Sequence, residues 1–172
     1  MIARAKSATM TPLRADGRMT MRIVMLTLAA IASCVPAMAQ LAIKLPIAKG
    51  LWTNDNQKCA TVRYGYVFDG TRWGSLYFYG PNGNLGPAAE LRPITQTRVV
   101  EGGFTQMQFD GYDGAGYFRV KATGTDRALY RVGAPFREEI QVLDEPLIRC
   151  ALQTLSPKMQ AAIRRHAPAA AK

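Results

Sequence analysis

The sequence predicts a mainly all-β fold: a small antiparallel barrel or sandwich with a short C-terminal helix. Three observations lead there. Short apolar runs with a period of two recur between Leu51 and Leu143. Turn chemistry built from Gly, Asn, Asp and Pro separates these runs at spacings of about ten residues. Helical signals enter only near the C-terminus, so no helices alternate with the strands as a parallel sheet would require.

The elements follow in order. Gln40–Lys49 is an apolar lead-in containing Pro46. Val62, Tyr64, Tyr66 and Phe68 alternate with Thr61, Arg63, Gly65 and Val67, the pattern of a strand with two different faces. Asp69-Gly70 makes a turn, and the aromatic run Trp73–Tyr79 completes a hairpin over 61–79. Pro81–Pro87 carries turn residues at almost every position and reads as a loop. Glu90–Thr95 reads as a short strand that Pro93 demotes to a sheet edge, because proline cannot donate to a ladder. Gln96–Glu101 extends that strand or forms another. Gly102-Gly103 then breaks the chain before Phe104–Phe109, where Thr105, Met107 and Phe109 share one face.

Asp110–Gly114 is the next turn. Tyr117–Ala122 puts Phe118, Val120 and Ala122 on one face and Tyr117, Arg119 and Lys121 on the other. Gly124-Thr125-Asp126 turns the chain into Arg127–Val132. Phe136–Leu143 alternates again, with Ile140 and Val142 as its apolar face, and Asp144-Glu145-Pro146 ends that run. Leu147–Leu155 is apolar and fits a strand or a helix. Ser156 is a good N-cap and Pro157 a good first helical residue. The helix continues through His166, with Arg164 and Arg165 suited to its negative end. Ala167–Lys172 reads as a frayed tail.

Residues 1–39 stand apart from this pattern and read as a signal peptide with an extended basic segment. Arg22 precedes the apolar run Ile23–Ala32, and Pro36 with Ala37-Met38-Ala39 offers a cleavage site before Gln40. That run is shorter than the roughly 20 residues a membrane span needs, so the mature chain is expected to have no transmembrane span. Ile31-Ala32-Ser33-Cys34 also fits a lipobox, which makes Cys34 a candidate for lipidation and a membrane anchor. The domains expected beyond the signal are an arm over 40–49, a β-rich domain over 50–155, and a helix and tail over 156–172.

Net charge is +10 for the whole chain; residues 1–39 hold five basic residues against Asp16, which leaves +6 for residues 40–172. A basic excess of this size suits solubility, and it also suits contact with an envelope protein or an anionic envelope polymer. Export argues against nucleic acid as a partner. Without Cys34 the cysteines are Cys59 and Cys150, an even pair that reads as a disulfide in an oxidising compartment.

The search for chemistry yields no catalytic set. His166 is the sole histidine and lies near the chain end beside Arg164 and Arg165. No nucleophile–base–orienter group and no metal-ligand spacing is present, so no cofactor or metal is expected. Asp110 and Asp113 lack the acidic ladder and closing glutamate of a calcium loop. The candidate binding residues are rings: Trp52, Tyr64, Tyr66, Trp73 and Tyr77, with Arg63 and Arg72 adjacent in sequence. Alternate residues of a hairpin project together, and rings with basic neighbours stack on sugars or anchor proteins. The alternative is that one face of these rings packs into the core.

Gly50-Leu51-Trp52 resembles the Gly-x-Trp opening of lipocalins, avidins and bacterial metalloprotease inhibitors. Gly50–Asp55 is most similar to an avidin opening, in which the tryptophan closes one barrel end. A biotin pocket needs several further tryptophans and this chain offers only Trp73, so biotin is not implied. The inhibitor resemblance adds a cysteine soon after the tryptophan, Cys59, and implies that the arm before the barrel, Gln40–Lys49, enters an enzyme's cleft. Cys150 departs from it, because the inhibitor bridge closes a shorter loop. The chain also resembles exported bacterial proteins that pair an early and a late cysteine, which implies no activity. The expected function is that of a non-catalytic binding module, periplasmic or secreted, that inhibits a hydrolase or binds an envelope component. Two alternatives stay open: an envelope hydrolase using loop carboxylates, and a structural envelope protein without a specific ligand.

Overall fold

The computed structural model describes residues 43–137 and 139–172. The expected signal peptide over 1–39, with the lipidation candidate Cys34, lies outside the described residues. Eight antiparallel strands close into a barrel in sequential order, the last pairing back to the first. They are β1 (Gly50–Asn54), β2 (Tyr64–Phe68), β3 (Arg72–Tyr79), β4 (Leu85–Val100), β5 (Phe104–Phe109), β6 (Tyr117–Gly124), β7 (Arg127–Phe136) and β8 (Glu139–Cys150). One α-helix among the described residues, α1 (Pro157–His166), follows. Among the described residues no helix is long and apolar enough to cross a membrane.

Strand direction gives the barrel two different ends. The lower end gathers the lead-in and the β2–β3, β4–β5 and β6–β7 turns. The upper end gathers the other connections and forms the mouth. Alternation then sorts the side chains. Trp52, Phe68, Trp73, Met107, Val120, Tyr130 and Leu147 fill the interior. Leu51, Val67 and Leu76 point outward, where Met159, Ala162 and Ile163 of α1 cover them. The helix starts as its sequence requires: Ser156 Oγ accepts from the Met159 amide at 3.3 Å, and Pro157 occupies its first turn. Cys59 and Cys150 are bridged, which ties the β1–β2 connection to the end of β8.

Trp52 closes the lower end. It is fully buried, and its indole N–H donates to the Ala48 carbonyl at 3.0 Å. Leu45 and Ile47 pack into the same interior cluster. Leu45 and Ile47 thereby pin the lead-in to its own barrel.

Several element boundaries also differ from expectation, for identifiable reasons. Leu85–Pro87 is strand, and β4 runs unbroken past Pro93, so Glu90–Thr95 is no sheet edge. Pro93 sits next to a register shift between Ile94 and Gln96, where a missing donor costs little. β8 likewise runs through Pro146, whose carbonyl accepts from the Asp55 amide at 3.0 Å just where β1 ends. Phe136 belongs to β7, and Ile140 and Val142 are exposed, not core. Leu147–Cys150 is strand, followed by a short 3-10 turn. The tail is ordered: Ala167 is buried, and Ala170 and Ala171 pack beside α1.

The β2–β3 turn holds a buried carboxylate. Asp69 accepts from the amides of Thr71 and Arg72 at 3.0 and 2.8 Å and from Arg72 Nε at 2.6 Å. Burial works against its charge, but these donors prevail and hold its carboxyl below the usual range. A depressed folded-state value means that the stabilisation is present above the unfolded value of about 3.9 and is lost as pH falls through the folded value. Asp69→Asn is expected to cost about 1.5–3 kcal/mol near neutral pH and to flatten the acid side of the stability curve. Urea unfolding across the acid range checks both.

The outer face of β4–β8 carries the row Arg98–Gln106–Arg119–Arg131–Asp144, each residue opposite the next on the neighbouring strand. Arg119 lies over the Tyr117 ring at 3.9 Å, and Arg131 over Phe104 at 4.4 Å. A mid-height row of charges is costly against lipid tails, so this face is built for water or a polar partner.

Candidate functional site

The mouth of the barrel holds an open cavity of about 250 Å³. Its walls are mostly rings: Tyr64, Tyr66, Trp73, Phe109, Tyr112, Phe118 and Tyr130. Alternation delivers them, since each lies on the inward face of its strand or, for Tyr112, on the β5–β6 loop. Tyr66 stacks on Trp73 with centroids 5.5 Å apart, and Tyr130 closes on both at 4.7 and 5.3 Å. Tyr112 meets Phe118 edge-on at 5.1 Å. Tyr64 and Tyr112 form the rim, 41% and 36% exposed. Gly74 lets β3 and β4 close beneath them, because a Cβ there would collide with the Glu90 carbonyl.

Polar groups sit in this cavity and beside it. Tyr66 donates its hydroxyl to Glu145 Oε2 at 3.0 Å. Tyr77 donates to Glu90 Oε1 at 2.8 Å. Ser75 and Arg92 complete the polar lining. The indole N–H of Trp73 is buried beside the Tyr130 hydroxyl. Burial pushes the phenols of Tyr64, Tyr66 and Tyr130 up, and the charge of Glu145 adds to each. Tyr77 is pushed up by its hydrogen bond to Glu90. All four phenols are therefore neutral hydrogen-bond donors at physiological pH.

The sequence-predicted residues divide. Tyr64, Tyr66 and Trp73 line the mouth. Tyr77 stands just above, 6.1 Å from the Tyr64 ring. Three predicted residues lie away from the ring-lined cavity. Trp52 is core at the opposite end. Arg72 is held by Asp69 and by the His166 carbonyl at 3.0 Å. Arg63 follows the outward parity of β2 and lies against Gly83. Asp110 and Asp113 are exposed beside the mouth.

Sequence reading did not find Glu90, Arg92, Tyr112, Tyr130 or Glu145. Tyr66 and Glu145 are 79 residues apart and meet only through barrel closure. One signal was available for Tyr130: it shares parity with Ala128, which faces the core. No family model matches the chain, and no curated protein or solved structure matches it.

Proposed function

We propose that the protein is an exported, non-catalytic binding module that captures its ligand in the mouth of the barrel. The observation that supports this is the ring-lined cavity with Ser75, Glu90 and Arg92 as charged or polar groups in its wall. Pockets that hold small groups have this make-up: apolar walls, a few fixed polar groups, and a size set by the ligand. About 250 Å³ lies just under the range for drug-sized molecules, so the captured group is small, on the scale of one ring or one long side chain. Export rests on residues 19–39, and the Cys59–Cys150 bridge supports it, because disulfides persist in oxidising compartments.

Capture of an envelope component fits better than inhibition through the lead-in, since Leu45 and Ile47 would have to leave the barrel interior to reach an enzyme. The arginine row on the outer face supports a secondary contact with anionic envelope polymers.

The test is capture from a native envelope fraction by the wild-type protein and by a Tyr64→Ala/Tyr112→Ala variant. Both rings are at the rim, so the variant is expected to melt like the wild type. Its capture is expected to fall by about tenfold or more, the loss of an interface hot spot. Equal capture by the two proteins would contradict the proposal.

A further inference from the structure

β1 leaves the barrel wall early. It pairs with β8 only over Leu147–Cys150, although β8 begins at Glu139. On its other side β8 pairs with β7 from Glu139 to Ile148. Among the described residues no strand pairs with the second edge of Glu139–Glu145. The wall therefore has a notch above Asn54, beside Tyr64 and Tyr66.

Backbone geometry shows which groups line this notch. The Pro146 carbonyl points to the β1 side, where it accepts from Asp55. A strand residue turns its N–H and C=O to the same side, and alternate residues share that side. Ile140, Val142 and Asp144 therefore present their backbone N–H and C=O groups to the notch. Such an edge is a template for another strand. The side chains of Leu143 and Glu145 share the inward parity of Leu147, so they face the space that an added strand would border.

Charge selects what kind of strand. Asp69, Asp126 and Asp144 are ion-paired. Among the described residues, the acids outside these pairs are Glu101 at the lower end and, toward the mouth, Asp55, Glu90, Asp110, Asp113, Glu139 and Glu145. Arg92 is the one cation in the cavity lining. The rings of Tyr64 and Tyr66 lie next to Glu145, an arrangement that attracts a cation electrostatically. Two copies joined edge to edge through β8 would bring their Glu139 and Glu145 side chains together, and like charges across a ladder are unfavourable.

We infer that the notch takes an extended basic polypeptide, which adds as a strand to the free edge of β8 and directs alternate lysine or arginine side chains into the ring-lined mouth. Main-chain bonds to the edge supply affinity, and the mouth supplies side-chain selectivity. This inference rests on the reading of the mouth as a binding site.

The probes are two blocked peptides about as long as the free edge, one alternating Lys and Val, the other Glu and Val. Val142→Pro removes one notch-facing N–H and leaves the β7–β8 ladder intact. The Lys–Val peptide is expected to bind about tenfold or more tightly than the Glu–Val peptide, and about tenfold or more weakly to Val142→Pro. It is also expected to slow hydrogen exchange at the amides of Ile140, Val142 and Asp144; if the proline variant fails to fold, this wild-type readout decides. Equal binding of the two peptides overturns the inference, as does undiminished binding to folded Val142→Pro. A concentration-dependent dimer that protects the same amides assigns the edge to a second copy and also overturns it. If the Lys–Val peptide does not bind while the rim variant still loses envelope capture, the inference fails and the mouth remains a binding site.

Discussion

Loss of the Cys59–Cys150 bridge is expected to lower the unfolding free energy by about 4–5 kcal/mol in the chain-entropy model. The two cysteines are 91 residues apart, so the reduced unfolded chain regains the freedom of a very long loop. The native state loses little shape, because β1 and β8 remain paired through hydrogen bonds next to Cys150. Cys150 is also buried among Leu51, Leu155 and Met159, so the change is felt where α1 meets the barrel. A Cys59→Ser/Cys150→Ser double variant, unfolded in denaturant beside the wild type, measures the difference. A change under about 1 kcal/mol would mean that the unfolded chain is already compact without its crosslink.

Trp52→Ala and Tyr64→Ala are expected to separate sharply, although both residues are among the candidate binding rings. Trp52 is fully buried, hydrogen-bonded to Ala48, and packed against Leu45 and Ile47. Its removal leaves a cavity at the closed barrel end and is expected to cost about 3–5 kcal/mol. It also frees the lead-in, so backbone amides of residues 43–49 are expected to exchange faster. Tyr64 stands at the open rim, and its truncation is expected to cost about 1 kcal/mol or less. Its effect is on capture instead. Melting curves with a capture assay on both variants check the division, and a large stability loss in Tyr64→Ala would move that ring into the core.

Local pattern made much of the barrel legible. The hairpin over 61–79 is written in its alternation and in Asp69-Gly70, and the faces of Tyr117–Ala122 separate as Phe118 and Val120 inward against Arg119 outward. The prolines misled because their cost depends on which side of the strand lacks a donor. Pro93 falls at a register shift and Pro146 at the end of the β1 ladder, and neither circumstance is visible before the strands are paired. The exposed Ile140 and Val142 misled for a related reason: they lie where β8 has outrun β1. Within the site, parity alone separates Arg72 from Trp73 and Arg63 from Tyr64, since neighbours in a strand face opposite ways. Glu145 was out of reach, because its meeting with Tyr66 needs the register of β8 on β1 and of β1 on β2.

The most direct test of mouth binding uses the chain's own reporter. The sequence contains two tryptophans, so Trp52→Phe leaves Trp73 alone, and Trp73 forms part of the cavity wall. Titrating this variant with the component captured from the envelope is expected to change Trp73 emission saturably, with the same midpoint as binding. Full binding with unchanged Trp73 emission would place the ligand elsewhere on the barrel and contradict the account.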